Sequence, residues 1–321
     1  MINVQDLSKA FGPKLAVNRV SFTVERGEVL GFLGPNGAGK STTMRMLTGF
    51  IPPTGGKVRI GGFDITEHPL EAKRLMGYLP ENAPAYSDMT VAGFLNFAAE
   101  LRGLRGAAKN SAVERVVEWC FLKPVFHQSI DTLSKGYRHR TSFAQSIIHD
   151  PQILVLDEPT DGLDPNQKHE IRMLLRRMGE KKAIIFSTHI LEEVEAACSR
   201  ALIIDRGQIV ANGTPDELKR KSDAAGAVSL VLIGVPAETA STRLSQLPSV
   251  RRASIVRQTN GRAFLRILPK ASVAFGDLAR DAAELAQREN WRIEELHTEE
   301  GKLDEVFRAI TISETKGAEK A

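Results

Sequence analysis

Gly34-Pro35-Asn36-Gly37-Ala38-Gly39-Lys40-Ser41 decides the fold. An apolar run, Val29-Leu30-Gly31-Phe32-Leu33, enters it, and a stretch of helical character, Thr42-Thr43-Met44-Arg45-Met46-Leu47, leaves it. Strand, glycine-rich turn and helix in that order make a phosphate cradle. The glycines let the backbone wrap an anion with its N–H groups turned inward. The helix that follows, opening near Thr42, presents its positive end to the same anion. Lys40 is placed for β- and γ-phosphates, and Ser41 for Mg²⁺.

Composition sets bounds around that octet. The 321 residues suit two domains rather than one. Hydrophobic content of 42% and charged content of 26% are those of an ordinary globular chain. A formal net charge of +4 is too small to argue for nucleic acid, and a mildly basic surface also suits anionic headgroups. Cys120 and Cys198 have no metal-like spacing and fit a reducing cytosol. The N-terminus lacks the basic and apolar regions of a secretory leader. The longest stretch free of Asp, Glu, Lys and Arg, residues 224–237, is shorter than the roughly 20 residues a membrane helix needs. Any membrane role is therefore expected to run through a partner.

Residues 2–30 alternate as strands do, with Ile2, Val4 and Leu7, then Val20, Phe22 and Val24. Phe11 falls in the loop Lys9-Ala10-Phe11-Gly12-Pro13, where it can stack on a base or pack under the loop. Helices are expected over 90–104 and 113–122, and a third opens at Leu133-Ser134-Lys135-Gly136-Tyr137 with Ser134 placed as its N-cap. Ile153-Leu154-Val155-Leu156 is apolar without alternation, which suits a strand buried on both faces of a parallel sheet. Such strands end at the carboxyl edge, where open α/β sheets bind ligands. Asp157 and Glu158 stand there as adjacent acids, costly to bury unless a cation meets them. Asp157 is the candidate for the Mg²⁺ shell and Glu158 for orienting or deprotonating water. The loop after them adds Asp161 and Asp164. A second buried strand, 183–187, leads to His189, a candidate for touching a terminal phosphate. From about Ser222 the character changes, and strands and helices follow in the order βαββαβ, with Asn260-Gly261 as a hairpin turn. Arginines 251, 252, 257, 262 and 266 lack interleaved aromatics apart from Phe264 and are read as a solvated sheet face.

Taken together in this order, residues 34–41, 133–140, Asp157-Glu158, 161–164 and His189 resemble the ATP-binding subunit of an ABC transporter. The resemblance covers roughly the first two-thirds of the chain. It implies that the bound nucleotide is ATP with Mg²⁺, and that Phe11 stacks on adenine. It places Glu81 where the family usually has a Gln that senses Mg²⁺ and the permease. Residues Leu133, Ser134, Lys135, Gly136 and Tyr137 become the signature that closes over the partner subunit's nucleotide. Asp161 and Asp164 fall in the loop joining the two ATP sites, and His189 becomes the switch histidine. Lys135 and Tyr137 depart from the family's common signature, Leu-Ser-Gly-Gly-Gln, while Ser134 and Gly136 keep it. With Glu81 and the ending Leu303-Asp304-Glu305-Val306-Phe307, the chain is similar to the ATPases of type-2 exporters, the gliding-motility, drug-resistance and nitrous-oxide-reductase maturation group.

The resemblance thus implies a P-loop cassette over residues 1–221: a RecA-like parallel core, an N-terminal antiparallel β subdomain and a helical signature subdomain. An α+β ferredoxin-like accessory domain is expected over 222–312, with a disordered tail at 313–321. The implied function is ATP hydrolysis that powers an exporter through a separate membrane permease docked near residues 82–101. Two cassettes would pair on ATP, at the inner face of the cell membrane, with no nucleic acid involved. Two rivals stay open: a soluble ABC ATPase not tied to transport, and an ATPase regulated by a small molecule at the C-terminal domain.

Overall fold

The computed structural model describes residues 1–82, 85–222 and 224–312, and they form two compact units divided between Pro215 and Asp216. In the first, β1 (Ile2–Phe11) and β2 (Lys14–Val24) pair antiparallel around a tight turn at Gly12-Pro13. Phe11 is thus the last residue of a strand rather than a loop residue. Next come β3 (Glu28–Leu33) and α1 (Lys40–Leu47), then β4 (Gly55–Ile60) and β5 (Phe63–Asp64). An antiparallel sheet of order β2-β1-β4-β5 results. The chain continues through α2 (Pro69–Arg74), β6 (Met76–Leu79), α3 (Val91–Leu101), α4 (Gly106–Trp119) and α5 (Lys135–Ile147). It then alternates β7 (Ile153–Asp157), α6 (Pro165–Gly179), β8 (Ala183–Thr188), α7 (Leu191–Ala197) and β9 (Arg200–Asp205), before β10 (Gln208–Gly213); α8 (Pro215–Lys219) belongs, but for its first residue, to the second unit. The second sheet has the order β10-β9-β3-β8-β7-β6, parallel except for β10 against β9.

The unbroken apolar runs of β7 and β8 are explained by what covers them. Alternate residues go to opposite cores. Ile153, Val155, Ala183 and Ile185 join the cluster of the antiparallel sheet and α1, with Ile2, Phe22, Met44 and Leu47. Leu154, Leu156, Ile184 and Phe186 join the helical cluster of Phe94, Val116, Phe143 and Leu175. Each fully buried Leu or Phe contributes about 1.5–3 kcal/mol. By register, Leu33 pairs with Thr188 and Asp157 with Ser187, so the strands deliver their last residues to one edge.

Helix α4 begins earlier than the sequence suggests, since Gly106–Ser111 carries no apolar period. Helix α3 starts as expected: Thr90 accepts a hydrogen bond from the Gly93 N–H at 3.0 Å.

The second unit holds β11 (Val228–Ile233), α9 (Ala237–Ser245), β12 (Val250–Thr259), β13 (Arg262–Pro269), α10 (Asp277–Arg288), β14 (Arg292–Thr298) and α11 (Leu303–Ile312). This is the expected βαββαβ order plus a last helix. The strands are antiparallel in the order β12-β13-β11-β14. Asn260 and Gly261 both have positive φ, 50° and 71°, as the turn of the β12–β13 hairpin demands. Leu230, Leu232, Leu265 and Ile267 meet Leu244 of α9 and Leu278 of α10 in one core. This unit begins at Asp216, ahead of the boundary at 221/222 read from the sequence. Contacts with the far end of the unit set this start: Ser222 bonds Glu305 of α11, the Gly226 N–H donates to the Glu299 carbonyl, and Gly301 packs on the Lys219 carbonyl. The expected disordered tail, 313–321, lies outside the described residues.

Candidate nucleotide-binding site

Gly39 caps α1 in the left-handed region, φ 107°. An added Cβ there would lie 2.6 Å from the Ala16 carbonyl oxygen, so the hairpin and the cradle meet only through glycine. Lys40 follows, nearly buried, and its ammonium donates to the carbonyls of Gly34 at 2.7 Å and Pro35 at 3.2 Å. Burial lowers its pKa, while Glu158, Asp157 and Glu81 pull it back up. Ser41 Oγ donates to Asp157 Oδ1 at 3.2 Å, and the Ser187 hydroxyl bonds the same oxygen. Asp157 Oδ2 is buried without a protein partner. A buried carboxylate oxygen left open beside a serine hydroxyl is an all-oxygen donor set, which suits a hard cation such as Mg²⁺.

Glu158 turns out of β7 with φ 51°, rare for a residue with a side chain. Its N–H is held by the carbonyl and hydroxyl oxygens of Ser187, at 3.2 and 3.1 Å. Its carboxylate lies 3.9 Å from Lys40 Nζ and 3.1 Å from His189 Nδ1. Burial raises the Glu158 pKa, against the hydrogen bond and charge of His189 and the charge of Lys40. A carboxylate so placed is a better proton acceptor than an exposed one. Behind it, buried Glu193 of α7 takes the Thr188 hydroxyl at 2.7 Å and that of Thr160. Ser187, Thr160 and Glu193 were not singled out from sequence. The Ser-Thr pair ending an otherwise apolar strand was the available sign.

These groups open on a cleft of about 340 Å³ lined by Phe11, Lys14, Ala16, Asn36, Gly37, Gly39, Lys40, Ser41, Thr42, Glu81 and Glu158. Of the two roles open to Phe11, the structure rejects packing under a loop: the residue is 51% exposed and lines the cleft, with Lys9 Nζ 5.2 Å from the ring centroid. Gly34 and Pro35 contribute through the carbonyls that receive Lys40, and Ala38 is buried in the core. Glu81, exposed on the loop after β6, lies at the cleft wall. Lys14 and Ala16 come from β2, whose distance along the chain hid them.

A family model described as ABC transporter matches residues 17–161. The linearmycin resistance ATP-binding protein LnrL of Bacillus subtilis (strain 168) is 35% identical over 237 residues, covering 73% of this chain and 76% of that protein. The chain belongs to the ABC transporter ATP-binding family. The probable multidrug ABC transporter ATP-binding protein YbhF of Escherichia coli (strain K12) is 40% identical over 223 residues, covering 69% of this chain, which spans only 38% of that relative's length. The Nod factor export ATP-binding protein I of Ralstonia nicotianae is 37% identical over 219 residues, 68% of each chain. A solved ATP-binding subunit of an ABC transporter superposes with a TM-score of 0.64 at 29% identity, covering 69% of this chain and 92% of that one.

In this ABC cassette the signature residues stand outside the cleft. Leu133 is buried. Ser134 caps α5, accepting the Tyr137 N–H at 3.3 Å, as its position in the sequence implied. The Tyr137 ring packs under the Arg140 guanidinium at 4.2 Å. Lys135 pairs with Asp161 at 2.7 Å, and Gly136 packs on the Gly162 carbonyl. Asp164 caps α6 by accepting the Gln167 N–H at 2.9 Å. The cradle and the turn 133–137 thus stand apart in one chain, the turn packed on the loop 161–164.

Proposed function

We propose that this chain binds and hydrolyses Mg·ATP and powers an exporter through a separate membrane permease. One observation carries the ATPase reading: Lys40, Ser41, Asp157, Glu158 and His189, scattered over 150 positions of sequence, converge at one cleft edge. The adenine would stack on Phe11, and the phosphates would lie in the cradle with Lys40 turned from its carbonyls to the β- and γ-oxygens. Ser41 and Asp157 would hold Mg²⁺, with Glu81 alongside, and the metal would neutralise charge on the β- and γ-phosphates. Glu158 accepts a proton from the attacking water, and the His189 ring fixes its carboxylate.

The signature's place outside the cleft supports pairing of two cassettes on ATP, each closing residues 134 and 136 over the other's nucleotide. Dense donors would then face the charge on the transferring phosphoryl. Residues 161 and 164 would lie in the loop between the two sites. The export reading is supported by relatives named for multidrug transport, linearmycin resistance and Nod factor export. Among the described residues no helix is long and apolar enough to cross a membrane, so a permease would hold the chain peripherally at the cytoplasmic face. Its dock would be the apolar groove of about 570 Å³ lined by Phe50, Tyr86, Phe94, Phe97 and Leu101, where Phe50 and Leu101 are each 71% exposed. Residues 216–312 would act as an accessory unit. The recess formed there by Asp216, Lys219, Arg220, Phe275 and Glu300 holds about 160 Å³, under the roughly 300 Å³ usual for a small-molecule site.

The test is membrane retention. Co-expressed with a membrane protein encoded beside it, the full chain should sediment with membranes, and Leu101→Glu should release it to the soluble fraction. Retention of the variant at the wild-type level would refute the groove as the dock. A wild-type chain that binds no Mg·ATP would refute the function altogether.

A further inference from the structure

Lys135 departs from the glycine common at this signature position, and the structure shows what its side chain meets. Its ammonium donates to Asp161 Oδ2 at 2.7 Å. Its stem runs over Gly162, where an added Cβ would sit 2.9 Å from Lys135 Cδ and where φ is 72°. The neighbouring Gly136 makes the same approach from the backbone: a Cβ on it would lie 3.2 Å from the Gly162 oxygen. The first turn of α5 is therefore laid directly on the loop between Glu158 and Asp164.

That loop leads back to the chemistry. The Asp161 N–H donates to the Glu158 carbonyl at 3.1 Å, and the Leu163 N–H to the Thr160 carbonyl at 3.3 Å, so 158–163 is a pair of overlapping turns. Glu158, at the head of the first turn, has the left-handed φ of 51° that persists only where its surroundings hold it. Asp161 is one residue that joins both ends: its backbone fixes Glu158 and its carboxylate meets Lys135. The Lys135 hydrogen bond holds the Asp161 pKa below the usual carboxylate range.

We propose that Lys135 is a positioning residue for ATP hydrolysis, acting through Asp161 to tie the signature turn to the loop that aims Glu158. The inference deepens the ATPase reading and rests on it. Lys135 belongs by sequence to the set that would face a partner's nucleotide, yet its contacts in this chain are with its own catalytic loop. The link would make the state of one site felt at the other.

The experiment is steady-state Mg·ATP hydrolysis by the full chain, with Lys135→Ala, Asp161→Asn, the double variant and Lys135→Arg. Each single variant should lower kcat by about two- to fivefold, the scale of a half-exposed ion pair. KM for ATP and Tm should stay at wild-type values, the double variant should be no worse than either single one, and Lys135→Arg should keep the wild-type rate. The gap between wild type and Lys135→Ala should narrow in high salt, because salt screens an exposed pair. Additive losses, a rise in KM with kcat unmoved, a lower Tm in Lys135→Ala, or faster turnover in Asp161→Asn would each overturn the proposal. Glu158→Gln, run in parallel, separates the two levels: wild-type turnover in that variant would remove the ATPase reading itself, whatever Lys135 does.

Discussion

The chain contains a sheet covered on both faces and a sheet packed on one, and they treat charge in opposite ways. In β7 every residue from Ile153 to Asp157 is buried, because cores lie on either side. In β13 burial alternates: Ala263, Leu265 and Ile267 point to the helices, while Phe264 and Arg266 lie on the other face. The acids at the end of β7 are among the most buried in the molecule, Asp157 with an unpaired oxygen and Glu158 with its pKa pushed up. The charges on the open face are paired where water reaches them: Arg266 forks onto Glu299 at 2.8 and 2.5 Å, and Arg262 meets Glu294 at 2.6 Å. Arg257 lies 4.1 Å over the Phe264 ring. Burying an acid at the edge of a doubly covered sheet is costly, and its persistence signals chemistry. An ion pair on an open face costs little and signals solubility.

The largest test of that contrast is Glu158→Gln. Gln keeps the shape but takes no proton, so turnover should fall by about two orders of magnitude or more while ATP still binds. Near wild-type hydrolysis would show the buried acid to be structural. The pH profile of the wild type carries the same message. Because burial raises the Glu158 pKa, its base form is lost at a higher pH than an exposed Glu's, so kcat should fall with acid above the ordinary carboxylate range of about 4–4.5. A rate flat down to that range would contradict the role.

Lys40→Ala comes next. Removing the cation that meets Glu158 and the cradle carbonyls should weaken ATP binding by about 10- to 100-fold, on the scale of hydrogen bonds to charged groups. An unchanged affinity in a binding titration would break the cradle assignment. The smallest effect is expected on the open sheet. Arg266→Ala should lower stability by about 1 kcal/mol or less, since its side chain is 40% exposed. ATP hydrolysis should stay at the wild-type rate. A loss of several kcal/mol in a denaturant melt would mean that this face behaves as a core, and the contrast would collapse.

The cradle was legible because backbone constraints write themselves as local spacing: glycines where N–H groups must converge, Lys and Ser at the helix start. Asp157 and Glu158 were legible because a run such as Ile153–Leu156 has no polar face to offer. The sequence of strands and helices along the second unit followed from periodicity and from Asn260-Gly261. Helix α4 was underread because its first turns carry no apolar period, and the start at Asp216 was missed because contacts of 219–226 with Glu299, Gly301 and Glu305 leave no mark on local composition.

Short-range order was thus determined by the sequence alone: which apolar runs are core strands, where the glycine-rich turn sits and which acids stand at an edge. Tertiary structure alone decided that Ser187 spans both acids, that Glu193 sits behind them, that Phe11 lines the cleft and that Lys135 reaches Asp161. The physical reason is range. Propensity, turns and amphipathic period act within a few residues, whereas a hydrogen bond or ion pair between side chains 26 or 30 positions apart exists only after the sheet register has brought them together.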